Sequence, residues 1–157
     1  MEADIPLNKH EFRARYGEDI RVNVDWKRFM DDDDIVLRPA TLRLPHDLPC
    51  LWTPWFPGGG SHHPSDPNAA PLSVLGAAAD IDLLGEHAES VREHIAHDDN
   101  EDFDAPAVAF PRGRYLLLDR NHRTVAAAVK ETTLLLHLAV IVTPANVHIL
   151  TDLPRLD

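Results

Sequence analysis

The stretch Arg114–Ala128, RYLLLDRNHRTVAAA, decides how this chain is read. Tyr115, Leu116, Leu117 and Leu118 are nearly all apolar, which predicts a strand buried on both faces. Asp119 and Arg120 make a polar turn. A helix follows from Asn121 to Glu131, and its Ala126–Ala128 run lets it lie close against a sheet. The first turn of a helix presents N–H groups without an intrahelical partner and the positive end of the helix dipole, and both favour an anion. Here that turn carries Asn121, His122, Arg123 and Thr124. Arg123 can fork onto phosphate oxygens, Thr124 can add a hydroxyl donor, and Arg120 offers a further cation. Asp119, at the strand end, can hold a metal ion or orient His122. The plainer alternative is a ligand-free helix with Asn121 as its cap.

Working outward, Leu134–Val142 reads as a second buried strand ended by Pro144, and Val147–Leu150 as a last short strand. Upstream, Ala107–Phe110 reads as a strand that returns through a turn at Pro111–Gly113, behind an acidic loop at Asp98–Asp104. Asp82 can cap one helix running to about His97, with Leu84, Ala88, Val91 and Ile95 on its buried face. His87 and His94 lie seven apart on it, and helical spacing alone supplies no further metal ligand. Pro45–Pro71 holds seven prolines, Gly58–Gly60 and the pair His62–His63, so it reads as a long loop. Trp52, Trp55 and Phe56 pack part of it; Trp52, Trp55, His62 and His63 are candidates for substrate contact. Cys50 has no evident activating partner.

In the amino-terminal third, Asn8 caps a helix from Lys9 to Tyr16, stopped at Gly17. Arg21–Trp26 alternates like a short strand, and Asp31–Asp34 reads as a charged loop. Ile35–Leu44 looks extended, with Pro39 confining it to a sheet edge or splitting it.

The order from Leu83 to Val142 resembles the ParB/sulfiredoxin-like superfamily. The matching pieces are LLGEHAESVREHI, APAVAF, GRYLLLDRNHRTVAAA and LLLHLAVIV, about 60 residues, with Ile35–Leu44 as an extension to the family's first strand. The resemblance implies that residues around the His-Arg pair cradle nucleotide phosphates, which carries over to Asp119, Asn121, His122 and Arg123. The turn is closest to the DGxHR type of free-amino-acid kinases. It departs from that type at Arg120, where kinase-like members have Gly. Asn121 stands where sulfiredoxins have their cysteine, which excludes sulfinic-acid reduction by that route. No downstream helix-turn-helix matches the family's DNA clamps.

At 157 residues the chain has the length of a single domain. Its net charge of −11 argues against a duplex nucleic-acid partner, which needs a basic face. One cysteine excludes an internal disulfide, and no leader or membrane span is expected, which reads as a cytoplasmic protein. The expected fold is α/β or α+β: one ParB/sulfiredoxin-like domain over residues 1–157, with a mixed sheet and two or three helices.

The expected activity is ATP-dependent phosphoryl transfer to, or activation of, a small polar metabolite, with ATP or another nucleotide and Mg²⁺ as cofactors. His122 would neutralise charge or move a proton, and Asp119 would help hold Mg²⁺. The carboxylate base is left open among Glu18, Asp25, Asp31, Asp32, Asp33 and Asp34. The alternatives are the same fold acting on a small carboxylate metabolite without nucleotide, and a non-catalytic binding or regulatory module.

Overall fold

The computed structural model describes residues 5–56, 71–97, 100–145 and 147–151. The chain opens with α1 (Lys9–Tyr16), where the Asn8 side chain accepts the amides of His10 and Glu11 as expected of a cap. The segment Arg21–Trp26 is not the expected strand. Asp25 accepts the amide of Arg28 and starts a second helix, α2 (Trp26–Asp31), so only a single bridge, Val24 to Leu150, remains of the alternation. That bridge is also all that the expected strand Val147–Leu150 contributes.

Next come β1 (Val36–Leu44), a 3-10 turn at Leu48–Cys50, and β2 (Leu51–Trp52) inside the stretch read as loop. Past residue 70 lies α3 (Val74–Ala79), capped by Ser73. The helix expected from Asp82 to His97 is in fact two pieces. A 3-10 turn, Ile81–Leu84, ends at Gly85, whose φ of 55° and ψ of −119° suit glycine alone, and α4 (His87–Ala96) begins after it. The chain closes with β3 (Phe103–Phe110), β4 (Arg114–Leu117), α5 (Asn121–Lys130) and β5 (Leu134–Val142). The described residues thus hold five α-helices where two or three were expected.

The five strands form one mixed sheet in the order β1-β5-β3-β4-β2. β1 is antiparallel to β5, β5 parallel to β3, β3 antiparallel to β4, and β4 parallel to β2. β1 is an unbroken edge strand with Pro39 opposite Ala139, the first of the two outcomes that the proline allowed. β3 begins four residues before the expected Ala107 because Pro106 costs no ladder bond. Its carbonyl accepts Leu118 N at 2.9 Å on the side where β4 has just ended, so no strand amide is missed there.

Alternate residues of each strand feed two cores. Leu117, Ala105, Leu136 and Leu138 meet α3, α4 and α5 through Ala77, Val91, Val125 and Ala127. Leu116, Leu118, Ala139 and Ile141 meet α1 and α2 through Phe12, Tyr16 and Phe29. The Ala126–Ala128 run is buried under the sheet as its small size predicted. The result is a three-layer α+β domain.

Candidate functional site

The parallel neighbours β2 and β4 set up the site. Their carboxyl ends lie side by side, the position where open α/β sheets bind ligands. β2 gives way to Thr53–Phe56 and β4 to the Asp119–Arg120 turn and α5. Thr53 pins its segment: its hydroxyl donates to Leu72 O at 2.8 Å and accepts the Trp55 amide at 3.2 Å, while Leu72 N donates to Trp55 O. Trp55 is thereby buried against the first residue of α4 and the second of α5. Its ring stacks on His87 at 4.3 Å and 12° and lies 4.9 Å from His122. His87 Nδ1 is 3.0 Å from His122 Nε2. Burial, and after it the charges His87 and His94 would carry, pushes the His122 imidazole down to about 4. His122 is therefore neutral at pH 7. Of its two expected roles, proton handling fits this state and cationic charge neutralisation does not.

At the turn itself, Arg120 is the helix N-cap, in place of the expected Asn121. It sits in the left-handed region at φ 65° and ψ 21°, a conformation that favours glycine. The Arg120 side chain makes no capping bond to the first turn of α5. Thr124 N closes the first intrahelical bond on Arg120 O at 3.0 Å, so the amides of residues 121–123 precede the ladder. The Thr124 hydroxyl donates to the same carbonyl at 2.8 Å and is fully buried, so it offers a ligand no donor; its expected role is not supported. Asn121 is buried, donates from Nδ2 to Leu117 O at 3.1 Å, and leaves Oδ1 without a hydrogen-bond partner. Arg123 lies over the Phe103 ring at 4.2 Å and donates to Glu101 O at 3.2 Å, so one end of its fork is committed within the protein.

Asp119 accepts the Arg120 amide, and its buried Oδ2 has no hydrogen-bond partner. Burial raises its carboxyl above the usual range. The Arg120 amide and the Arg120 and Arg21 charges pull the other way, whereas the Asp19 charge adds to the rise. On the α1 side, the buried Tyr16 hydroxyl donates to Asp104, which also takes Arg15 at 2.8 Å. Burial and Asp104 hold the phenol protonated far above neutrality, against the charges of Arg15 and Arg120.

The structure thus brings Trp55 and His87 to His122, sets Asp119 among the charges of Arg120, Asp19 and Arg21, and lays Arg123 on Phe103 and Glu101. Trp52 belongs to the opposite core, on the other face of the sheet, so Trp52 and Trp55 do not form one platform. His62 and His63 lie outside the described residues. Three of the amino-terminal acids, Asp25, Asp31 and Asp32, are engaged elsewhere. Asp25 caps α2, Asp31 pairs with Lys27 at 2.8 Å, and Asp32 accepts Asp34 N; Asp25, Asp31 and Asp32 line a shallow hollow of α2 with Lys27 and Arg28. The acid that acts on Asp119 is Asp19, which sequence reasoning missed along with Arg15, Tyr16, Arg21 and Asp104. His87 was read against His94, yet its partner is His122, 35 residues away. Among the described residues no group of three or more His, Cys, Asp or Glu is placed to hold a metal, and no helix is long and apolar enough to cross a membrane.

No family model matches the chain, and no curated protein matches it. Among solved structures it is similar to protein Atu1540 from Agrobacterium tumefaciens, at 12% identity and a TM-score of 0.40, over 71% of this chain. The chain spans 43% of the length of that protein.

Proposed function

We propose that the β4–α5 junction is the phosphate site of a nucleotide-binding, ParB/sulfiredoxin-like enzyme that transfers a phosphoryl group to a small polar metabolite. One observation carries this reading. Arg120 adopts the left-handed conformation at the start of α5 without a cap bond from its own side chain, so the amides of residues 121–123 precede the helical ladder, next in sequence to a cation whose charge acts on Asp119. Arg120 and those amides hold phosphate oxygens, and Arg123 borders them. ATP with Mg²⁺ is the expected donor, and the metal supplies charge neutralisation at the phosphates. The free acceptor oxygen of Asp119 suits either that ion or a substrate hydroxyl. Neutral His122 moves a proton, and Trp55 walls the acceptor side. Calorimetric titration with ATP, CTP and GTP, each with Mg²⁺, tests this. Binding of one nucleotide that weakens in Arg120→Ala is expected, and absence of heat with all three rejects it.

A second reading keeps the crevice and drops the nucleotide. It is favoured by the raised carboxyl of Asp119, which when protonated can donate to a carboxylate ligand. A thermal-shift panel separates the two: small organic acids raise the melting temperature and nucleotides do not.

A further inference from the structure

We propose that His87 and His122 form a two-imidazole site for a divalent transition-metal ion, with Zn²⁺ as the reference ion. This inference does not rest on nucleotide binding. Two nitrogens bound to one Zn²⁺ at about 2.0–2.1 Å each, roughly 90–110° apart, stand about 2.9–3.4 Å from one another. His87 Nδ1 and His122 Nε2 stand 3.0 Å apart. The two rings come from the starts of α4 and α5, elements packed in the same core, so the separation is set by the fold. Trp55, stacked on His87 and against His122, backs both rings.

The surroundings suit ligation. The Glu86 carboxylate lies 4.0 Å from His87 Nε2, beyond hydrogen-bond reach, so the tautomers of the two rings are set by their mutual contact at Nδ1 of His87 and Nε2 of His122. In the metal-free protein one proton lies between the two nitrogens. On binding, the ring that donates this proton moves it to its own far nitrogen, so each neutral ring keeps one proton, both facing nitrogens present lone pairs, and the ion takes the shared position with no proton released. With no third protein ligand among the described residues, water or an oxygen donor from a small molecule completes the coordination. Imidazole pairs take Zn²⁺, Cu²⁺ and Ni²⁺ in preference to Mg²⁺.

The test uses the full chain without an affinity tag, titrated with Zn²⁺ by calorimetry and with Ni²⁺ while Trp55 emission is followed in a Trp26→Phe/Trp52→Phe background. One equivalent of each ion is expected to bind, with Ni²⁺ quenching Trp55. His87→Ala and His122→Gln, each checked for native circular dichroism, weaken Zn²⁺ binding by about tenfold or more. His94→Ala and His62→Ala/His63→Ala leave the tight equivalent in place. The proposal is overturned by absence of binding, by binding that survives both His87→Ala and His122→Gln, or by binding that disappears in His62→Ala/His63→Ala. Should His122→Gln not fold, His87→Ala and the Trp55 quench decide the matter alone.

Discussion

Trp55 lies face to face with His87, centroids 4.3 Å apart and planes 12° from parallel, and the same indole borders His122. The contact joins the segment after β2 to the starts of α4 and α5, and so ties the candidate site to the core. Truncation to Ala should therefore cost about 3–5 kcal/mol of stability, as for other large buried rings. It should also wet His122 and bring its titration back toward 6.5. Urea unfolding measures the first, imidazole NMR the second; a His122 titration unchanged from wild type would dissociate the two.

The pH dependence of stability follows from His122 and Asp119 with opposite signs. His122 titrates near 4 when folded and near 6.5 when unfolded, so the unfolded chain binds more protons between these values. Its contribution is fully present above pH 6.5 and is lost as pH falls toward 4. Asp119 is raised, so its contribution is present below the ordinary carboxyl range and is lost as pH rises through its folded value. Asp119→Asn should abolish the second slope and leave the first. Urea midpoints measured from pH 4 to 8 for both proteins check this.

Two non-glycine residues bracket α5 in left-handed conformations, Arg120 at its start and Glu131 at φ 53° past its end. Glycine relieves that strain at some cost in chain entropy, so Glu131→Gly should stabilise by about 0.5–1 kcal/mol. Arg120→Gly should stabilise by a similar amount while weakening anion binding. A gain in stability with binding intact would show that Arg120 is there for neither charge nor contact.

Tyr16 is fully buried and donates to Asp104, which Arg15 also grips. Removing the hydroxyl leaves a part-buried carboxylate one donor short, so Tyr16→Phe should cost about 1–3 kcal/mol. Asp104→Asn should then add less than it costs alone, a coupling measurable by a double-mutant cycle.

The β4–α5–β5 run was legible because each piece obeys a local rule: an unbroken apolar strand, small residues beneath a sheet, a proline beyond the last strand. The edge position of β1 followed from Pro39 in the same way. Legibility ended where one residue overrides a pattern. Gly85 interrupts a helical periodicity that continues through it, and Asp25 turns an alternating segment into a helix by capping it. α3, Val74–Ala79, carries only Ser73 ahead of VLGAAA as a local sign. The His87–His122 contact had none at all, since nothing in a spacing of 35 residues implies contact and only the packing of α4 on α5 creates it.

Both margins of the sheet are poor hosts for a newcomer strand. On one side β2 offers two residues, too few for a visiting chain to zip onto. On the other, β1 shows Arg38, Pro39 and Arg43 along its rim, where a missing amide and two cations spoil any added register. A domain whose inner strands are as greasy as LLLHLAVIV is thereby shielded from growing sideways into fibres.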